Sequence, residues 1–492
     1  MTDQLPLLIP VVLLTAALAA PLVGLLRHHW TYRLALVAVA LDAGVAIWGL
    51  VEVVRNGEIR YELGGWAPPI GIEYVLDPLS AFFAAVIACV ALIVMIGARR
   101  MVEVELPEKE VPYFAAVLLL LAGFQGIVVT GDLFNLYVFL EITALAGYAL
   151  VAVGERPSPV AAFRYLLLGA TGASFYLLGL WFVYNLTGSL NMADVAAILP
   201  AVWDNPALAI GLSLMVVGMG VKMALWPLHG WLPDAYTQAP SATSALIAPI
   251  GTKVGAYALI RILFFVFGAG LVRDRLPVAD IVLWLSAIGI VYGSIMAIAQ
   301  RELKRMLAYS SVAQVAYIGL GIGLANPAGL VGAVLHVVNH AFMKAALFMV
   351  AGNMRARLGH SDISRMDAEV RRRMPWTMAA FTVGGLSLIG VPGTVGFISK
   401  WYLVLGAVQA GLWVVAALVL VGSLMAVVYI WKVVEAAYFT EFPGGFEVKE
   451  APLSMLLPIW VLVVANIYFG INATVTTGIA TRAAEVLLGV TP

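Results

Sequence analysis

Eight ionisable side chains stand inside long apolar runs where a membrane helix would carry leucine: Glu141, Lys222, His229, Lys253, His336, His340, Lys344 and Lys400. Insertion scales put the cost of a Lys or Asp at mid-membrane at roughly 2.5–3.5 kcal/mol, so such groups mark ion or proton paths by default. Lys222 opens the argument, in GMGVKMALWPLHGWLPDA from Gly218 to Ala235. Pro227 breaks the helix there by removing a donor and clashing with the preceding turn. His229 follows two turns after Lys222, where a continuing helix would put both on nearly one face. Glu141 lies mid-span in NLYVFLEITALAGYAL. An ionised carboxylate at that depth needs a cation beside it, and Lys222 is the expected partner. Such a carboxylate would hold the lysine's proton, and its withdrawal would release it.

The other groups extend a row. Lys253 is flanked by Gly251 and Gly255, small residues that let helices approach. HVVNHAFMKAALFM sets His336, His340 and Lys344 at i, i+4 and i+8 on one stripe. His-x3-His can hold a metal, but no third ligand is near, so a wet proton relay is the reading taken. Lys400 follows the break GVPGTVG at 390–396. Lys304, Ser311 and Glu435 are accessory candidates, Lys304 with Ser310, Ser311 and Gln314 lining water between the halves. Each has a bland counterpart: a snorkelling lysine, packed histidines, an interfacial anchor beside Trp401, or Glu435 pairing with Lys432. Asp77 and Asp132 read as helix caps. Glu103, Glu105, Glu108 and Glu110 read as a solvated face.

Positioning these groups requires a membrane bundle. The 492 residues are 62% hydrophobic and 11% charged, with mean hydropathy +0.98, well outside the soluble range. The expected fold is an all-α polytopic membrane protein of about fourteen spans of roughly 17–25 residues. Lys+Arg and Asp+Glu both number 28, which points to no nucleic-acid partner. A single cysteine, Cys89, excludes disulfide frameworks and thiolate clusters. Phosphate loops, dinucleotide turns and nucleophile triads are absent. No metal or cofactor is expected, nor any redox chemistry within the chain itself. The N-terminus lacks a basic leader segment and reads as a retained span.

The chain divides into N-terminal helices (1–110), a first repeat (111–264), a second repeat (278–438) and a C-terminal helix (439–492), one proton-translocating unit in all. The seventh span (207–230) and the twelfth (376–408) are both interrupted. They lie five spans apart, so a five-helix repeat would be inverted, the arrangement expected when broken helices frame a midplane site. Lys and Arg favour one set of connections by about three to one, with Lys304 counted on the favoured side and Arg261 on the other. That places both termini on the non-cytoplasmic side of a prokaryotic cell (inner) membrane.

GDLFNLYVFLE, VKMALWPLHGWLPDA, LKRMLAYSSVAQ, HVVNHAFMKAALFM and GVPGTVGFISKW together resemble the proton-pumping antiporter-like family. That family holds the D and A subunits of Mrp-type cation/proton antiporters, the large membrane subunits of complex I and related hydrogenase subunits. The resemblance spans nearly the whole chain beyond two helices. It implies a fourteen-helix fold with two inverted five-helix repeats, spans 4–8 and 9–13, each with one broken helix. It also implies a Glu141–Lys222 pair, proton sites at Lys253, His336, His340, Lys344 and Lys400, and partner subunits within the lipid bilayer. Lysine at 400 points toward an Mrp D-like subunit or the quinone-proximal branch of complex I, and the first of these would exchange protons for monovalent cations, Na+ first. The alternative is a proton-pumping subunit of an NADH-quinone oxidoreductase-like complex or membrane-bound hydrogenase.

Overall fold

Apolar runs punctuated by capped turns become helices throughout, and the computed structural model describes residues 2–440 and 449–489. The N-terminal part holds α1 (Leu5–Leu26), α2 (His28–Asn56), the antiparallel hairpin β1 (Ile59–Glu62) with β2 (Glu73–Leu76), and α3 (Pro78–Glu105). The hairpin pairs Ile59 with Leu76 and Glu62 with Glu73. A first set follows: α4 (Glu110–Val129), α5 (Leu133–Ala152), α6 (Ser158–Thr187), the short α7 (Met192–Ile198), α8 (Pro206–Met223), α9 (Leu232–Gln238) and α10 (Ser241–Ile260). The second set is α11 (Val278–Ala299), α12 (Leu303–Leu324), α13 (Pro327–Leu358), the short α14 (Ala368–Arg373), α15 (Pro375–Ile389), α16 (Val395–Gln409) and α17 (Trp413–Phe439). The chain closes with α18 (Leu453–Ile471) and α19 (Thr474–Leu488).

Thirteen helices among the described residues are long and apolar enough to cross a membrane, and the shorter apolar helices α15 and α16, either side of the second break, are together long enough for one more crossing. The expected polytopic all-α architecture is therefore present. Sequence reading missed the hairpin and α19. The latter buries Ile479, Ala480, Ala483, Ala484 and Leu487, apolar positions at helical spacing.

Two short backbone bridges reveal how the sets correspond. In the first, Leu133 N–H donates to Leu190 O (2.8 Å) and Met192 N–H to Gly131 O (2.8 Å). In the second, Leu303 N–H donates to Ser361 O (2.8 Å) and Ile363 N–H to Arg301 O (2.7 Å). Each bridge ties the start of one long helix to the segment after the next. Asp132 and Glu302 each also accept the backbone N–H three residues on, capping α5 and α12. Both following helices end at a left-handed glycine, Gly188 and Gly359. The next helix then breaks, at left-handed Ala224 after α8 and Gly390 after α15. Equivalent helices are five crossings apart, an odd number, so the two sets run in opposite senses.

Burial is graded. The most apolar stretch of α13 is 100% buried and those of α10 and α12 94%, against 39% for α6 and α17. The fully enclosed helices are the ones carrying Lys253, Lys304, His336, His340 and Lys344, where only paired or hydrated charges persist. Helices α6 and α17 present Trp181, Leu178, Leu424 and Trp431 outward instead.

Candidate functional site

The break after α8 leaves carbonyls without helical partners. Leu225 N–H reaches back to Gly220 O (2.8 Å), and the Trp231 indole N–H caps Val221 O (2.9 Å). Lys222 sits in this last turn, where the helix dipole favours a cation. Its Nζ lies 4.0 Å from Glu141 Oε1, with side chains 12% and 34% exposed. Glu141 opens outward on the face of α5 that also shows Phe134, Val138 and Leu145, and its Oε1 has no hydrogen-bond partner within the chain.

Helix α10 approaches α8 closely at Gly255. A Cβ there would fall 2.8 Å from Met223 N and 2.9 Å from the Lys222 carbonyl carbon. Of the two glycines flanking Lys253, Gly255 therefore sets the approach, whereas Gly251 meets only side chains. Lys253 is buried and donates to Ala248 O (2.6 Å) and Thr252 Oγ1 (3.2 Å).

Behind α10, the facing stripes of α12 and α13 form a polar seam. Lys344 Nζ donates to Leu307 O (2.8 Å) and Ser310 Oγ (2.5 Å). His336 bridges Gln314 Oε1 (2.9 Å) and Ser399 Oγ (2.9 Å) through its two nitrogens. That engagement leaves neither nitrogen for a metal. His340 stacks on His336 at 6.0 Å between ring centroids, fully buried, with both nitrogens unpartnered by protein. Ser311 donates to Leu307 O (3.0 Å). It stands as far beyond the bridge residue Leu303 as Glu141 stands beyond Leu133, so serine replaces the carboxylate in the second set.

At the second break, Lys400 Nζ donates to Leu388 O (3.1 Å), Ile389 O (2.8 Å) and Ser423 Oγ (3.0 Å). It also lies 4.8 Å from the centroid of the Tyr317 ring. Leu388 precedes left-handed Gly390 by the same two residues that separate Lys222 from left-handed Ala224. The Lys400 ammonium thus reaches, from beyond the break, the turn that is equivalent to the one holding Lys222.

Several readings of single residues change. The helix ends at Met223, so His229 lies on the linker between α8 and α9, packed edge-on against Tyr292 of α11 (5.0 Å) rather than continuing the Lys222 face. Glu435 is exposed. Its supposed partner Lys432 instead donates to Ile298 O (3.2 Å) and Gln300 O (2.7 Å) at the end of α11. Lys304 is 1% exposed and donates to Ala239 O (2.5 Å) across the two sets. Asp77 caps α3 and also pairs with Arg261 (2.5 Å), both side chains 6% exposed. Glu105 is half-buried rather than part of a freely solvated face: its Oε2 accepts Ser241 N–H (2.7 Å) at the start of α10. Asp42 was missed, though it stands mid-span in α2, 1% exposed, accepting from Gln125 Nε2 (2.9 Å). The rule that singled out Glu141 applies to it equally.

The family model described as NADH:quinone oxidoreductase/Mrp antiporter, transmembrane, matches residues 130–426. The N subunit of an NADH-quinone oxidoreductase from Desulforudis audaxviator (strain MP104C) is 46% identical over 486 residues, covering 96% of each chain. The D subunit of a Na(+)/H(+) antiporter from Alkalihalophilus pseudofirmus is 30% identical over 480 residues, covering 95% of this chain and 93% of the relative. A chain of the membrane-bound sulfane sulfur reductase, an archaeal respiratory membrane complex, superposes with TM-score 0.91 at 32% identity, covering 99% of this chain and 98% of that one. The bridged double set, the two helix breaks and the matched span agree, and the chain belongs to the NADH:quinone oxidoreductase/Mrp antiporter membrane-subunit family.

Proposed function

We propose that this chain translocates protons along Glu141, Lys222, Lys253, Lys344, His340, His336 and Lys400, as one subunit of a multisubunit membrane complex. The observation that carries the reading is the row of buried ammonium and imidazole groups through α8, α10, α13 and α16, with Glu141 as the carboxylate paired to Lys222. A proton passes stepwise because each protonation in low dielectric alters its neighbour's hold on its own. Glu141 ends the row on an outward apolar face. An ionisable group there is better covered by a protein partner than by lipid, which supports partner subunits and a path continuing into one of them.

The driving reaction we assign is redox, supplied by other subunits, on the strength of the 46% identity to a membrane component of an NADH-quinone oxidoreductase. Exchange for Na+ is the second reading, supported by the 30% identity to a component of a Na(+)/H(+) antiporter. The test is the whole operon expressed in antiporter-deficient inverted vesicles, with internal pH followed by fluorescence quenching. Quenching driven by a redox substrate and requiring the operon is the expected result. Cation-dependent dequenching on adding Na+, K+ or Li+ would establish the exchanger instead. Glu141→Ala and Lys222→Ala are each expected to abolish transport while the complex still assembles. Transport retained in either variant removes the pair from the mechanism.

A further inference from the structure

A polar cavity of about 170 Å³ opens on the face opposite the N-terminus, lined by Glu105, Gly154, Glu155, Gln238, Ala239 and Arg355 among others. That volume holds several waters, each of which occupies about 30 Å³ in the liquid. Three parts of the fold meet there: the end of α3, the connections after α5 and α9, and the end of α13. Arg355 and Glu155 approach to 3.5 Å at its rim. Deeper in, Glu105 Oε2 accepts Ser241 N–H, while its Oε1 is buried with no partner in the protein. Lys304 reaches the same connection from below, donating to Ala239 O. Lys304 begins the α12 stripe that continues through Leu307 O and Ser310 to Lys344, then Gln314 to His336.

We propose that this cavity is the aqueous port of the proton path, with Glu105 as the carboxylate that exchanges protons with water and Lys304 as the first group behind it. The proposal rests on the proton-translocating reading above and adds where the path meets solvent. Glu105 lines the cavity and is only half-buried, so its carboxylate stands beside cavity water, the remaining partner for the oxygen that the protein leaves unpaired. A carboxylate at the mouth also raises the local supply of protons, as charged clefts do for their substrates. The titratable and charged groups facing Glu105 are Glu155, Arg355, Lys304 and the Tyr113 hydroxyl of α4.

Glu105→Gln separates the two roles of this side chain. The amide oxygen still accepts Ser241 N–H, so the start of α10 stays capped, while the exchangeable proton site is gone. In the assembled complex the variant is expected to slow proton uptake about tenfold at alkaline pH, the low end of what charge focusing adds to an encounter rate. At mildly acidic pH, where protons are abundant, it should stay near the wild-type rate. An unchanged rate at every pH, or a uniform loss, would overturn the assignment. Cys89 is the only cysteine, which permits a second measurement in an active Cys89→Ser background. Ala356→Cys, on the cavity wall, is labelled with a trimethylammonium methanethiosulfonate. Transport should fall on labelling and return with reductant, and full transport after complete labelling would sink the port. Lys222→Ala runs alongside: transport retained there would count against the path itself, whereas failure of the port variants alone would count only against its mouth.

Discussion

His340 holds two ring nitrogens in a fully enclosed position with no protein group to satisfy either. A buried imidazole donates from one nitrogen and accepts at the other, so the expected partners on both sides of the ring are waters. His336, whose nitrogens are bridged by Gln314 and Ser399, needs no such water. His340→Phe keeps the stacking and removes both polar contacts. It is expected to lower proton transport by about a hundredfold, as loss of a positioned proton-transfer group does, with assembly retained. Near-normal transport would make the ring a packing element. Residues of this kind were legible because a charge in an apolar run stands out against its insertion cost. Glu105 was not, since a glutamate among loop glutamates looks solvated until the fold brings Ser241 over it. Arg261 was counted as a connecting charge because it lies near a span's end; only the packing of α3 against α10 shows Asp77 beside it.

The two breaks do different work on one plan. After α8, a non-glycine residue takes the left-handed conformation at Ala224 (φ 59°), uncommon for side-chain-bearing residues, and Lys222 arises from the broken turn itself. After α15, glycine takes that role at Gly390 (φ 92°), and the lysine arrives from the next helix to meet the freed carbonyls. Proline and glycine punctuation made both breaks readable, and their spacing made the inverted sets readable. The bridges at 131–133 and 301–303 were not, because isolated backbone pairs leave no compositional trace. Close approach of α8 and α10 is the other condition on the first break. Any Cβ at 255 meets backbone of Met223 and Lys222, which cannot yield as a side chain could. Gly255→Leu should therefore separate Lys222 from Lys253 and abolish transport, even though every ionisable residue remains. The check is proton transport in vesicles together with complex assembly on a native gel. Assembly with full transport would show that the helices need not approach this closely.

At the scale of the molecule, charge decides which way the bundle lies. Arg99, Arg100, Arg301, Arg305, Arg355, Arg357, Arg365 and the run Arg371 to Arg373 belong to connections on the face opposite the N-terminus. The N-terminal face keeps Arg55, Arg60, Arg273, Arg275 and Arg482. Two corrections bear on this count. Arg261 is taken up by Asp77, and Lys304 is buried against Ala239, so neither acts as a free loop charge. One leaves each side, and the bias survives. Because positive connections stay in the cytoplasm, both termini should lie on the far side, and the Glu105 cavity should open to the cytoplasm. Alkaline phosphatase fused to the C-terminus is expected to be active, and the same enzyme inserted at Arg365, between α13 and α14, inactive. Green fluorescent protein should give the opposite pattern. The reverse result would turn the bundle over. The Glu105 mouth would then draw protons from outside, and Glu105→Gln would slow the return of protons rather than their uptake from the cytoplasm.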